Sequence, residues 1–317
     1  MRAVWLKEFG GPEVLLAGEA PEPVAGPGQV LIETRFANIT FVETQLRAGT
    51  GPFTLTPPVI PGNGVGGVVV AAGEGADGDL VGRRVVTSLN GSGGYAGRVA
   101  VSSAAPFVVP DGVALDDAVA LLADGRTASA LVHAAGLRAG DRVLVEAAAG
   151  GVGSLLVQLA RAAGATVIAL AGGARKVALA AELGADHAID YTAENWPDRV
   201  REAASAVDVV FDGVGGETGA RAFDLVDRGG RFLSFGLASG SWAEVSEADA
   251  AAREVTLIRG SLGTPEEMRG FTAKILAAAA EGKVKPVIGQ RFPLEEAANA
   301  HRAIESRATV GKTLLVL

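Results

Sequence analysis

Between the apolar run Val143-Leu144-Val145 and a helical pattern running from Ser154 to Gly164 lies a cluster of small residues, Ala147-Ala148-Ala149-Gly150-Gly151-Val152-Gly153. The chemistry open to such a turn is anion binding. Small residues let backbone approach a phosphate closely, and the N-terminus of the following helix offers unpaired N–H groups and a partial positive charge. Strand, tight turn and helix in that order are where an open α/β sheet holds a dinucleotide pyrophosphate. The spacing is A-x-G-x-x-G, with Ala148 in the place of the first glycine. Close packing of strand on helix would also call for small residues here.

The next strand-like run, Thr166-Val167-Ile168-Ala169-Leu170, ends at Ala171-Gly172-Gly173-Ala174-Arg175-Lys176. A site for NAD normally carries an Asp or Glu about 20 residues past the fingerprint, on the ribose 2′-hydroxyl. No carboxylate follows the turn before Glu182, and Arg175 and Lys176 stand in its place. A carboxylate repels a 2′-phosphate and cations attract it, so the pattern predicts NADPH over NADH. The bland alternative is a pair of solvated cations in the first turn of the next helix.

The elements that must position these residues have two textures. Up to about residue 120, short β-type runs (Val30–Thr34, Gly67–Val70, Arg84–Val86, Ala100–Val101) alternate with Gly and Pro, the pattern of a compact, mostly-β barrel. From about 120 to 260, strands alternate with helical stretches. Ala188–Ile189, Val207–Asp212 and Arg231–Phe235 continue the series, which predicts a parallel, doubly wound sheet. Beyond 262 the spacing predicts a helix from Pro265 to about Glu281 and a last strand, Thr313–Val316, returning to the first domain. The expected division is 1–121 with 262–317, and 122–261.

Composition narrows the class. The 317 residues suggest about two domains. A net charge of −8 and a pI near 5.1 argue against nucleic acid or an anionic membrane as partner. The absence of cysteine excludes disulfides and thiol chemistry. Apolar stretches near 143–171 are broken by Glu146, Gln158 and Arg161, too soon for a membrane span, and the N-terminus lacks the apolar core of a signal peptide. These features predict a cytoplasmic protein.

The opening Met1-Arg2-Ala3-Val4 with Phe9-Gly10-Gly11-Pro12-Glu13-Val14-Leu15 resembles that of quinone oxidoreductases, the zeta-crystallin-like branch of the medium-chain dehydrogenase/reductase superfamily. So do Pro27–Ile32, the turn at Ala147–Gly153, Leu183–Tyr191 and the closing Gly311–Leu315, in the right order along nearly the whole chain. The resemblance implies a GroES-like catalytic domain split around a Rossmann domain, with nicotinamide and substrate in the cleft between them. It further implies that Thr127 lies by the cofactor and that Gly150, Gly151, Val152 and Gly153 contact the pyrophosphate. Gly172, Arg175, Lys176 and Tyr191 would surround the 2′-phosphate. Phe235, Gly236, Ser261, Leu262 and Arg307 would take further cofactor-side positions. Tyr191 could instead be an ordinary strand-end aromatic, and Arg307 a surface ion pair.

Zinc members of the superfamily carry a Gly-His-Glu segment and a cysteine ligand. Here Pro61-Gly62-Asn63-Gly64 fills that register, so Asn63 and Gly64 replace the histidine and glutamate. Histidines occur only at 133, 187 and 301, too scattered for a site that needs three protein ligands. No metal is expected. Without a Lewis acid the productive reaction is hydride delivery to an acceptor already electrophilic, a quinone or an α,β-unsaturated carbonyl.

On the substrate side many relatives have an Asn and a Tyr facing the nicotinamide pocket. Thr40 takes the Asn place, Gln45 the Tyr place, and Asn38 lies two residues earlier. Asp124 is the one carboxylate expected near the nicotinamide; it could relay a proton if burial raised its pKa, or more simply cap the chain or pair with Arg126. Tyr95 reads as packing. Two alternatives stay open: a dedicated enoyl reductase of a polyketide or lipid pathway, and a crystallin-like nucleotide-binding protein with little catalysis. Relatives commonly dimerise through the edge of the Rossmann sheet, and Val255–Gly260 is of the right type, so a homodimer is expected.

Overall fold

Short β-branched runs closed by glycine and proline turns build the first part of the chain. In order they are β1 (Arg2–Leu6), β2 (Leu15–Glu19), β3 (Gln29–Ile39), α1 (Phe41–Ala48), β4 (Gly64–Ala72), β5 (Arg84–Ser88), β6 (Arg98–Ser102) and β7 (Phe107–Val108). A 21-residue helix, α2 (Leu115–Ala135), follows. The computed structural model describes all of residues 1–317. Its contacts divide the chain into two units, Met1–Asp124 with Leu276–Leu317, and Gly125–Ile275. The junctions of these units fall within α2 and within the helix Pro265–Ala280.

The second unit alternates strand and helix: β8 (Arg142–Val145), α3 (Gly151–Ala162), β9 (Thr166–Ala171), α4 (Ala174–Glu182), β10 (His187–Asp190), α5 (Trp196–Ala204), β11 (Val207–Asp212), α6 (Gly216–Phe223), β12 (Val226–Ser234), α7 (Glu247–Ala252) and β13 (Thr256–Ile258). The chain ends with α8 (Pro265–Ala280), β14 (Ile288–Pro293), α9 (Ala297–Glu305) and β15 (Lys312–Val316).

In the first unit the sheet order is β14-β15-β3-β4-β5-β7, with β6 also paired to β3. Burial along β3 alternates: Val30, Ile32 and Thr34 are buried, and Leu31 and Glu33 are less so. That period of two is what a sheet with one face on a core requires. Val30, Ile32, Val65, Val69, Val85, Tyr95 and Leu315 fill that core.

The second unit's sheet is parallel, ordered β10-β9-β8-β11-β12-β13. β8, β9 and β11 are buried almost continuously rather than alternately, because helices cover both faces. Leu144, Ile168, Leu170, Trp196, Val210 and Phe232 pack together, and Phe223 meets Phe232 edge-on at 5.6 Å. At the amino ends of the strands Arg142 grips Asp208 through two nitrogens (2.9 and 2.8 Å) and Asp227 through one (2.7 Å). The order reverses between β8 and β11. Ligands of open α/β sheets bind at the carboxyl ends beside that reversal.

Thr127 lies within α2. One local expectation is revised. β12 starts at Val226 rather than Arg231, with a register shift against β11 and Gly229 at a φ of 76°, and Phe235 falls just beyond it.

Candidate functional site

In the second unit, β8 runs into a turn whose Ala147 has a φ of 48°. The Gly150 N–H closes that turn on the Ala147 carbonyl at 2.8 Å, and Gly150 then caps α3. A Cβ on Gly153 would lie 2.2 Å from the Ala147 oxygen, so only glycine lets the helix sit against the turn. No side chain caps α3 and its first turn has no acid. Helix geometry leaves the N–H groups of Gly151, Val152 and Gly153 without intrahelical acceptors. That uncapped, amphipathic helix fits an anionic ligand. Ala148, buried, uses its N–H to bond the Leu170 carbonyl at 2.9 Å, so it serves the strands rather than a ligand.

The chain leaves β9 through Gly172 and Gly173, the latter at a φ of 85°, and enters α4. Arg175 is exposed and Lys176 half-buried on the first turn of α4, which also lacks a side-chain cap. The Tyr191 hydroxyl would lie 3.3 Å from a Cβ on Gly172, so the structure brings Tyr191 onto this turn. The nearest strand-end acid, Asp190, is already engaged. Its Oδ1 accepts from the N–H of Gly173 (3.1 Å) and from both the N–H (2.9 Å) and hydroxyl (2.7 Å) of Thr192, which hold the carboxyl below its usual range. Arg175 and Lys176 therefore stand at the end of β9, where Asp190 Oδ1 is taken up by Gly173 and Thr192.

Past β12, the Phe235 N–H bonds the Asp212 carbonyl at 2.9 Å, and Gly236 passes so close to Gly213 that a Cβ would meet its carbonyl oxygen at 2.6 Å. The loops after β11 and β12 are thereby joined. Ser261 is exposed and turns its hydroxyl to the Gly263 carbonyl (3.0 Å); Leu262 and Thr127 are half-buried.

In the first unit Thr40 is the N-cap of α1 and forms a capping box with Glu43. The Thr40 N–H and hydroxyl both reach Glu43 Oε2, while Glu43 Oε1 accepts the Asn63 N–H at 2.8 Å. Glu43 is buried, and burial pushes its carboxyl up against the opposing pull of these donors and of Lys312. Asn63 in turn receives the N–H groups of Leu89 (3.2 Å) and Gly91 (2.7 Å) on its Oδ1. In the register of a metal-ligating histidine, this chain has a loop organiser. Gln45 is half-buried in the same helix, and Asn38 lies fully buried with its Nδ2 unpartnered.

Asp124 does not pair with Arg126, as the sequence suggested. Its partner is Lys312, whose Nζ lies 2.9 Å from Asp124 Oδ1, both side chains being buried. Sequence distance hid this pair, because 188 residues separate its members. Arg126 itself is half-buried, with its Nε unpartnered and its guanidinium pulled down by burial. Arg307 leaves α9 at a φ of 57°.

The histidines are dispersed. His133 meets the Phe271 ring at a tilt of 51°, His187 is exposed at the start of β10, and His301 is buried with Nε2 2.9 Å from the Tyr95 hydroxyl. Desolvation drives His301 down to about 3. No group of three or more His, Asp or Glu residues stands together as a metal site would need. No helix is long and apolar enough to cross a membrane.

Comparison with known proteins finds two family profiles. Residues 26–111 match the "Alcohol dehydrogenase GroES-like domain" and residues 183–315 match "Zinc-binding dehydrogenase". The quinone oxidoreductase of Rattus norvegicus is 35% identical over 324 residues, spanning 100% of this chain and 98% of its own. The solved Escherichia coli quinone oxidoreductase, complexed with NADPH, superposes with a TM-score of 0.92 at 30% identity and full coverage of both chains. A structure described as an NAD-dependent alcohol dehydrogenase superposes at 0.91 with 31% identity, again over both full chains. The donor set here does not fit the zinc named by one profile: the chain has no thiolate, and Asn63 spends its oxygen on backbone amides.

Proposed function

The chain belongs to the quinone oxidoreductase family of the medium-chain dehydrogenase/reductase superfamily, and from that membership we propose that it is an NADPH-dependent, zinc-independent reductase of quinones or α,β-unsaturated carbonyls. The observation that carries the reading is the full-length likeness to quinone oxidoreductases, one of them solved with NADPH. For NADPH in particular, support comes from the turn after β9, where Arg175 and Lys176 stand while Asp190 is occupied by Gly173 and Thr192.

In this reading the first turn of α3, at Gly151, Val152 and Gly153 with Gly150 before it, holds the pyrophosphate. Gly172, Arg175, Lys176 and Tyr191 hold the 2′-phosphate. Thr127, Phe235, Gly236, Ser261, Leu262 and Arg307 complete the cofactor side. When bound, the reduced nicotinamide supplies a hydride. The chain's own part is positioning: Thr40 and Gln45 present α1 to the substrate, and the capping box fixes the start of that helix. Asp124 acts through Lys312 as an anchor of this region rather than as a free acid. A second copy pairing along β13, at the edge of the parallel sheet, would give a homodimer.

The test is cofactor oxidation with NADPH and NADH, chelator present, against a quinone and an activated enone side by side. Chelator-insensitive turnover preferring NADPH is the expected outcome, and the faster acceptor selects the substrate class. Equal use of NADH would remove the role given to Arg175 and Lys176. Tight NADPH binding without turnover of either acceptor would point to a dedicated enoyl substrate or to a crystallin-like binding role.

A further inference from the structure

We propose that Glu146 and Asp212 share one buried proton, and that this proton holds the loop Gly213–Gly216 in the shape that receives the cofactor. The inference rests on the cofactor reading above.

Glu146 follows the last residue of β8 and Asp212 ends β11, the two strands that flank the reversal of strand order. The Glu146 N–H bonds the Phe211 carbonyl at 3.1 Å, fixing the strand ends side by side. Both side chains are fully buried. Glu146 Oε2 accepts the Val214 N–H at 3.0 Å. Asp212 Oδ1 accepts the Gly215 N–H at 2.7 Å, and its Oδ2 accepts the Ser234 hydroxyl at 2.9 Å. That leaves Glu146 Oε1, buried, with no N–H or O–H to receive.

The Glu146 carboxyl lies beside that of Asp212, itself an acceptor, with the Gly213 N–H also close by. Two acceptors cannot satisfy each other without a proton between them. From β8, β11, β12 and the loop, the facing groups are these two carboxyls, the Ser234 hydroxyl and backbone amides; neither acid has a cationic partner. Two adjacent dry carboxylates would leave two unpaired charges, which is prohibitive. A proton on Glu146 turns Oε1 from an orphan acceptor into a donor. Burial, and secondly the charge of Asp212, both push the Glu146 carboxyl upward.

What the proton secures is the loop. With Val214 and Gly215 held by the acids, Val214 offers its carbonyl to the Ser239 N–H (2.8 Å), and the Gly216 N–H reaches the Ser241 carbonyl (3.0 Å). The segments after β11 and β12 therefore close on each other directly above the pair. Removing the proton would drive the acids apart or draw water in, and the loop would open.

The experiment measures the NADPH dissociation constant from pH 6 to 9.5, by nicotinamide fluorescence, for wild type and Glu146→Gln. Glutamine keeps a neutral donor but cannot titrate. Wild type is expected to weaken at the alkaline end, by up to about tenfold per pH unit for one proton. E146Q should bind within about threefold of wild type at pH 7 and lose that excess alkaline weakening. A wild-type curve no steeper than the variant's overturns the proposal. Should wild type fail to bind NADPH at any pH, the cofactor reading falls, and thermal unfolding of the free protein decides the acid pair. There the wild-type midpoint should drop relative to E146Q as pH rises above the ordinary carboxyl range; parallel curves overturn it. If E146Q does not fold, Ser234→Ala takes its place. Loss of the serine donor should move the alkaline weakening of NADPH binding to a different pH, and an unmoved profile overturns the assignment.

Discussion

Replacing Lys312 by methionine preserves much of the side chain's reach and removes its charge, stranding Asp124 where it is only 7% exposed. At the observed 2.9 Å the gross attraction is roughly 6 kcal/mol for an effective dielectric near 20. Withdrawing each ion from water costs several kcal/mol. For the intact pair these terms nearly cancel, whereas a lone survivor bears desolvation unopposed. Lys312→Met and Asp124→Leu should therefore each lose about 3–5 kcal/mol of unfolding free energy, and the double variant should return to within about 1–2 kcal/mol of wild type. Urea unfolding followed by circular dichroism supplies the cycle. Single losses below about 1 kcal/mol, or a double loss equal to the sum of the singles, would refute the reasoning. A kinetic arm separates anchor from acid: with Asp124→Asn, quinone and enone reduction should fall together, and selective loss of enone reduction would restore Asp124 as a proton relay.

Arg175→Ala and Lys176→Ala should raise the KM for NADPH by about 5- to 10-fold each, since one charge near 4 Å in a water-like medium is worth roughly 1 kcal/mol or more against a phosphate. KM for NADH should move less than about twofold, and equal effects on both cofactors would contradict the assignment. His301 is pushed down to about 3 while an unfolded histidine titrates near 6.5. Its stabilising effect is thus full above pH 6.5 and declines by up to about 1.4 kcal/mol per pH unit as pH falls toward 3. His301→Gln should flatten that acid limb in a series of melting curves; an unchanged slope would argue against a neutral His301. Gly153→Ala would force a Cβ to 2.2 Å from the Ala147 oxygen. NADPH affinity should fall by more than about tenfold with the circular dichroism spectrum retained, and wild-type affinity would show that the turn is not rigid.

What could be read in the sequence was local. The glycine turn, the cations after β9 and the two textures of the chain each depend on neighbours within a few residues, where helix and strand periodicities act. Phe235 and Tyr191 were named only through the family resemblance. The long-range partners were not legible. Asp124 read as a proton relay, a cap or a partner of Arg126, because nothing in the spacing announces Lys312. Nothing in the sequence singles out Glu43, though it is the hub that joins Thr40 to Asn63. Glu146 offered the one available signal: a charged residue closing the apolar run Val143-Leu144-Val145 must find a partner inside the protein. Its partner's identity required the strand order.

The position of β15 between β14 and β3 has a bearing on how the chain is made. A ribosome delivers residues 125–275 as an uninterrupted block, which can collapse once its last strand emerges. The first unit has no such luxury. Strand β3 leaves the exit tunnel early, and β4 can pair with one of its edges, yet the other edge at Phe36, Ala37, Asn38 and Ile39 is covered only when Val316, Leu315, Leu314 and Thr313 arrive. Until then a bare strand edge and an unaccompanied Asp124 wait through the synthesis of more than half the polypeptide. Nascent chains arrested shortly before Lys312 should accordingly be the aggregation-prone, chaperone-bound species, and loss of the last six residues should harm the first unit far more than the second.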